Sequence, residues 1–270
     1  MSEDRKRCAL VTGASSGIGE AFCRELAAGG FDLVLTARRQ ERLGVLAEEL
    51  ERGHRIKTLV VPTDLADPEA PRQLLAAVGT AGLDVDVLVN NAGYALPSHY
   101  LDYPWERHAE FIQVLLISVA HTTRLVLPGM VERGWGRVIN VASLAALLTS
   151  SIEGHTLYAA AKAFVLKMSE SLALELDGTG VKVTVCCPGY TYSEFHDVMG
   201  NREQVSELPS FMWMDAVEVA RKTIDAAERG QVLFVPGATN RALAGLSRLL
   251  PKALTLKISA QVSKRTGKQT

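Results

Sequence analysis

Tyr158 and Lys162 stand four residues apart in the stretch TLYAAAKAF, among small, helix-favouring residues. On a helix, positions i and i+4 share one face, with Cβ atoms about 5–6 Å apart. A phenol has a pKa of roughly 10, which poises it poorly for proton exchange at neutral pH. An ammonium about 5 Å away, at an effective dielectric near 20, favours the phenolate by roughly 3 kcal/mol, or about two pKa units. Such a pair would suit proton transfer to and from an oxygen. Any long helix can offer it by chance, so the rest of the chain has to supply the context. Ser143 ends the apolar run RVINVAS, where its hydroxyl could bond a substrate oxygen and stabilise charge as it develops.

A second group of residues could hold phosphate. VTGASSGIGE runs from an apolar strand into a helix, with Gly13, Gly17 and Gly19 at the junction and Ser15, Ser16 and Ile18 between them. The first glycine permits a tight turn, the second lets a pyrophosphate approach the backbone, and the third lets helix and strand pack closely. The helix start offers unpaired N–H groups and partial positive charge to phosphate. A plain glycine-rich turn is the simpler alternative, but here strand and helix flank it in the right order. The next strand ends LVLTARRQ. A site for NAD commonly has an acid at that point for the ribose hydroxyls. This chain has Arg38 and Arg39, which could clamp a 2′-phosphate through charge-assisted bonds, so NADP(H) is expected over NAD(H).

These groups need a scaffold, and the hydrophobic pattern supplies one. Apolar runs at 8–12, 32–36, 57–61, 87–90, 137–142, 181–186 and 232–236 alternate with helical patterns near 17–28, 40–52, 68–79, 104–132, 157–177 and 215–228. Strands that are apolar throughout suit a parallel sheet buried on both faces. The alternation predicts one doubly wound α/β domain over residues 1–236 with about seven parallel strands and helices on both faces. Ligands should lie beyond the carboxyl ends of the strands.

Composition narrows the function classes. The chain has 270 residues, 47% of them hydrophobic, and a net charge of −1, which gives no reason to expect a nucleic-acid partner. Cys8, Cys23, Cys186 and Cys187 show no CxxC spacing, so no metal site is expected and reduced thiols in a cytoplasmic setting are. The charged start MSEDRKR predicts no signal peptide, and no apolar run was expected to reach the ~18 residues of a membrane span. Residues 237–270 hold seven basic side chains and no Asp or Glu, with leucines at 243, 246 and 250. That tail reads either as a helix docked on the body or as a weak peripheral membrane contact.

Taken together, the chain resembles the short-chain dehydrogenase/reductase family over residues 7 to about 236. TGASSGIG, the NNAG at 90–93, Ser143 in INVAS, Tyr158-x-x-x-Lys162 and CPGYTYSEF at 187–195 carry the resemblance. It implies a Rossmann-like fold, NAD(P)-dependent carbonyl/alcohol chemistry on a small molecule, and a homodimer or homotetramer. It places Ser143, Tyr158 and Lys162 in catalysis, with Lys162 also on the nicotinamide ribose. It places Asp64 and Leu65 near the adenine, Asn90, Asn91, Ala92 and Gly93 along the ribose, and Pro188, Gly189 and Thr191 beside the nicotinamide. Residues of about 190–214, including Phe195, Phe211, Met212, Trp213 and Met214, would form the substrate loop, whose apolar face suits a fairly apolar substrate.

Two departures stand out. Ser143 and Tyr158 are 15 positions apart, about two more than the family usually has, so LLTSSIEGH should bulge at the mouth and bring Ser150, Ser151 or His155 toward substrate. Leu115 occupies the position, counted back from Pro128, where the family usually has an Asn that helps a water link the lysine to solvent. A main-chain carbonyl or Ser118 could hold that water instead. The expected function is an NADPH-dependent ketoreductase. The alternatives are an NADPH-binding protein with little catalysis, and an acyl-chain or sterol reductase at a membrane surface.

Overall fold

The computed structural model describes residues 5–96, 99–148, 156–194, 209–249 and 251–257. Strands β1 (Cys8–Thr12), β2 (Asp32–Thr36), β3 (Thr58–Val60), β4 (Val85–Asn90), β5 (Gly136–Val141), β6 (Val181–Cys186) and β7 (Leu233–Phe234) form one sheet, in the order β3-β2-β1-β4-β5-β6-β7. Every pairing is parallel. β1, β2, β4 and β5 are buried along their whole length, as apolar runs covered on both faces must be. β3 and β7 stop short of the expected ends, because edge strands have one partner and half-exposed side chains.

Helices α1 (Gly17–Ala28), α2 (Gln40–His54), α3 (Ala70–Thr80), α4 (Trp105–Ile112), α5 (Ser118–Glu132), α6 (Thr156–Glu175), α7 (Ala216–Glu228) and α8 (Ala238–Leu249) connect and cover the strands. One apolar cluster joins Phe22 and Leu26 of α1, and Leu43 and Leu50 of α2, to β1, β2, β4 and β5. A second, on the other face, joins Leu74 and Val78 of α3, and Val126 and Met130 of α5, to β1, β2, β4, β5 and β6. α7 starts at Asp215, whose carboxylate accepts from the N–H groups of Val217 and Glu218 at 2.8 and 3.1 Å, a capping arrangement that satisfies two otherwise free donors.

The expected helix over 104–132 runs without a gap from Trp105 to Glu132. Within it, α4 and α5 are joined by a π turn at Gln113–Ile117, which shifts the helix register around the buried Leu115. The span Trp105–Glu132 is also long and apolar enough to cross a membrane by length and composition, contrary to the expectation from runs of apolar residues. Here it lies against the sheet, with Phe111, Leu115, Val126 and Met130 buried. α8 is seated on the body as well: Ala244 is buried with Val119, Leu147 and Val165, and Asn240 bonds the Pro236 carbonyl at 2.8 Å.

Candidate active site

The sheet order reverses between β1 and β4, and a cavity of about 500 Å³ opens at the carboxyl ends of the strands on either side of that point. This is where an open α/β sheet binds its ligands, and the size suits a small organic molecule. Its wall includes Gly13, Ser15, Ser16, Gly17, Ile18, Arg38, Arg39, Asp64, Leu65, Asn91, Ala92, Gly93, Ser143, Tyr158, Lys162, Pro188, Gly189 and Thr191. The segments that follow β1 to β6, together with α6, therefore deliver residues scattered from Gly13 to Thr191 to one place.

Backbone geometry builds the glycine turn. Gly13 and Gly17 have φ of +67° and +57°, a region costly for any residue with a Cβ. Gly19 does not line the cavity. A Cβ there would stand 2.1 Å from the Gly13 carbonyl oxygen, so its role is to let α1 close on the turn. Thr12 ties this turn to the strand across the switch point: its hydroxyl accepts from the N–H groups of Asn91 and Ala92 at 2.9 and 3.0 Å. Asn91 answers by donating its side-chain amide to the Thr12 carbonyl at 3.0 Å.

Asn90, expected along the ribose, is buried beneath the cavity instead. Its amide donates to Asn140 Oδ1 at 2.8 Å and Thr123 Oγ1 at 2.9 Å, and Asn140 in turn donates to Ser169 Oγ at 2.8 Å. At the last position of β4 the pleat turns its side chain toward α5, one residue before the chain leaves the sheet. The chain thus has a polar truss linking β4, β5, α5 and α6.

Ser143 leaves β5 in an extended conformation and starts a short 3₁₀ turn, its hydroxyl accepting from the Ala145 N–H at 3.2 Å. Tyr158, on the first turn of α6, is hydrogen-bonded to Ser143. Lys162, one turn on, donates to the Val141 carbonyl at 2.9 Å, and its Nζ lies 5.8 Å from the centre of the Tyr158 ring. The expected lowering of the phenol pKa by this lysine is not found. Burial pushes Tyr158 up to about 12, offset only in part by the Ser143 bond. Burial also brings Lys162 down to about 8. Lys162 is buried and Tyr158 half-buried on the cavity wall; desolvation disfavours the charged form of each, and the ammonium is directed at a carbonyl rather than at the phenol.

Leu115 is fully buried beside this pair. A Cβ on Gly93 would meet both its Cγ and Lys162 Nζ at 3.6 Å. The Ser118 hydroxyl donates to the Val114 carbonyl at 2.6 Å, which commits its proton and leaves it only as an acceptor. Among the described residues, the Val141 carbonyl is the hydrogen-bonding partner of Lys162.

On the substrate side, Tyr192 and Met214 pair their backbones at 3.0 Å, and Trp213 stacks on Tyr192 with ring centres 4.8 Å apart. Leu144, Leu148, Val114, Tyr94 and Tyr190 add apolar wall. Phe195, Ser150, Ser151 and His155 lie outside the described residues. The sequence reading missed two contributors. Asn240 stands directly behind the Pro188–Gly189 turn, where a Cβ on Gly189 would come within 2.5 Å of its Oδ1. Glu194 reaches the arginines after β2. The charge sign of Glu194 could have suggested a pairing, but nothing local points to either contact.

The residues present fit a nicotinamide dinucleotide. The positive-φ glycine turn leaves room for a pyrophosphate, and α1 starts at Ser16 with no side chain capping it. Thr36, at the end of β2 on the cavity wall, has a buried hydroxyl without a partner. Arg38, also on the wall, is exposed.

Comparison with known proteins agrees. A family model for short chain dehydrogenases matches residues 7–204. A 7beta-hydroxysteroid dehydrogenase of Collinsella aerofaciens is 37% identical over 67% of this chain and 68% of its own length. A very-long-chain 3-oxoacyl-CoA reductase of Anas platyrhynchos is 36% identical over 70% of this chain, which spans only 61% of that protein. A solved 7beta-hydroxysteroid dehydrogenase structure superposes with a TM-score of 0.84 at 28% identity, covering 94% of this chain and 96% of the other. A short-chain dehydrogenase from Sphingobium yanoikuyae in complex with NADPH does so with a TM-score of 0.77 at 30% identity, covering 90% and 93%. A glycine turn, a serine–tyrosine–lysine group and a seven-stranded parallel sheet thus come together in a chain that belongs to the short-chain dehydrogenase/reductase family, oxidoreductases that pass a hydride between a nicotinamide dinucleotide and a carbonyl/alcohol pair.

Proposed function

We propose that this chain is an NADP(H)-preferring reductase of a bulky, fairly apolar carbonyl compound, with Ser143, Tyr158 and Lys162 as its catalytic residues. The observation that carries this reading is the cavity that brings Ser143, Tyr158 and Lys162 together with the glycine turn. The cofactor, when bound, supplies the hydride. Ser143 and Tyr158 converge on the position a carbonyl oxygen would take, and Tyr158 gives that oxygen its proton as charge develops. Burial keeps the phenol protonated at neutral pH, so the proton it gives is in place before hydride transfer. Lys162, a buried cation beside it, is placed to hold a ribose hydroxyl.

The NADP(H) preference rests on Arg38 and Arg39 at the end of β2, with no carboxylate contributed by that strand end. The apolar substrate class rests on the lining by Leu144, Leu148, Val114 and Tyr190, and on relatives named for a hydroxysteroid and a long-chain 3-oxoacyl thioester. We read the setting as cytoplasmic, since all four cysteines are free and buried. We read the assembly as a homodimer or homotetramer, since Trp105, Ile117 and Phe164 leave apolar surface exposed on neighbouring helices. Light scattering that gives a monomer mass would remove that reading.

The test is cofactor oxidation against ketosteroids, 3-oxoacyl thioesters and simple ketones, with NADPH and NADH side by side and Tyr158→Phe beside the wild type. Turnover on a bulky carbonyl should be faster with NADPH, and the variant should lose about 10²–10⁴-fold in rate while still binding nucleotide. Tight NADPH binding with no turnover on any class would instead favour a binding protein. A second reading, contact with an anionic membrane, draws on exposed Leu243, Leu246, Leu249 and Leu254 near Arg241 and Lys252. Failure to co-sediment with phosphatidylserine vesicles at low salt would sink it.

A further inference from the structure

Glu194 joins two parts of the site that lie 155 positions apart. One carboxylate oxygen accepts from Arg39 Nη1 at 2.8 Å and the other from Arg42 Nη1 at 2.6 Å. The rest of the Arg39 guanidinium is fixed by the glycine turn: Nε and Nη2 reach Ser15 Oγ at 3.1 and 3.0 Å, and Nη2 reaches Ser16 Oγ at 2.7 Å. Arg39 is the residue that precedes α2 and Arg42 lies in its first turn, where the helix dipole also favours an anion. The two guanidiniums hold the Glu194 carboxyl below the usual carboxylate range, so it is ionised at neutral pH. These residues therefore form an anion cradle that is already filled by a side chain of the chain itself.

We propose that Glu194 is an internal stand-in for the 2′-phosphate of NADP(H), which must displace it from Arg39 and Arg42, and that Glu194 thereby tunes cofactor choice. The proposal rests on the NADP(H) reading given above. A phosphate brings up to two charges and three acceptor oxygens against one charge and two oxygens, so it wins the exchange. A ribose hydroxyl brings no charge and leaves the carboxylate where it is. Displacement also reaches the glycine turn, because Ser193 packs there: a Cβ on Gly17 would stand 2.8 Å from Ser193 Cβ. Binding of the 2′-phosphate thus loosens the segment that borders both the pyrophosphate turn and the substrate side, and NAD(H) binding does not.

The experiment is to measure dissociation constants of NADPH, NADH, adenosine 2′,5′-bisphosphate and 5′-AMP for the wild type and for Glu194→Gln. The ion pairs are partly exposed, so removing the charge should tighten NADPH and the 2′,5′-bisphosphate by about fivefold, the upper range for a surface pair. NADH and AMP should hold their wild-type affinities. Equal tightening of all four ligands, no change, or weaker binding of NADPH would overturn the proposal, and weaker NADH binding would make Glu194 a ribose acceptor instead. If the wild type binds NADH as tightly as NADPH, the NADP(H) reading itself fails, whatever the variant does. Glu194→Asp, which keeps the charge on a shorter arm, should fall between wild type and the glutamine variant for NADPH.

Discussion

The two ends of the cavity are built by different means. At the nucleotide end, the turn between β1 and α1 is defined by backbone: two glycines at positive φ and a third whose Cβ would collide with a carbonyl. At the catalytic end, ordinary helical backbone carries Tyr158 and Lys162, and position is set by what surrounds them: Ser143, the Val141 carbonyl, Leu115 and the buried Asn90–Asn140–Ser169 chain. The first end is intolerant of any added atom. The second tolerates changes of shape better than changes of polarity, because its groups are charged or polar and withdrawn from water.

A methyl group on the nucleotide end is the most damaging way to probe that contrast. Gly19→Ala should abolish nucleotide binding and cost about 1–3 kcal/mol of stability, since the contact is with backbone and neither side can yield cheaply. Nucleotide titration and denaturant unfolding read the two effects. Retention of wild-type affinity would mean that the turn relaxes, and that the difference between the two ends is overdrawn.

On the catalytic end, Leu115→Asn restores the amide common in the family but places it among apolar neighbours. We expect a stability loss of about 1–3 kcal/mol from the unpaired amide. We also expect kcat within about twofold of wild type, because the Lys162 ammonium already has the Val141 carbonyl as a partner. A clear rise in kcat would show that proton delivery is limiting and runs past position 115.

A pH dependence probes the burial at the same end. Lys162 has a folded pKa of about 8 against an ordinary 10.5. Below about pH 8 both states hold the proton and the fold bears the whole cost of burying it. Between the folded and unfolded values the unfolded chain binds more protons, so this lysine's contribution to stability rises with pH. Tyr158 works the other way above its ordinary value of 10, because the fold keeps its proton up to about 12. From about pH 7 to 10, the melting temperature of the ligand-free wild type should therefore gain on that of Lys162→Met. A constant gap would show that Lys162 is not desolvated in solution.

Legibility followed the same divide. The sheet and the glycine turn could be read because apolar alternation, glycine spacing and strand-to-helix order are local properties of the chain. Tyr158 and Lys162 could be paired because helical spacing puts i and i+4 on one face. The helix over 104–132 was legible too, but nothing local marks the π turn at Gln113–Ile117 inside it. The same span also escaped notice as long and apolar enough to cross a bilayer, because polar residues interrupt a run that is still apolar on average.

What the sequence alone determined was the order of elements, the place of the glycine turn and the pairing of Tyr158 with Lys162 on one helical face, all set by short-range spacing and backbone preference. Only the tertiary structure decided what those groups meet. It turned Asn90 down into a buried truss and set Asn240 behind Gly189. It filled the arginine cradle with Glu194 and gave Lys162 a carbonyl partner. Above all it reversed the expected direction of the Tyr158 shift. The reason is physical: a Coulomb term can be estimated from spacing, but desolvation depends on every atom that excludes water, and those atoms come from elements far apart in the chain.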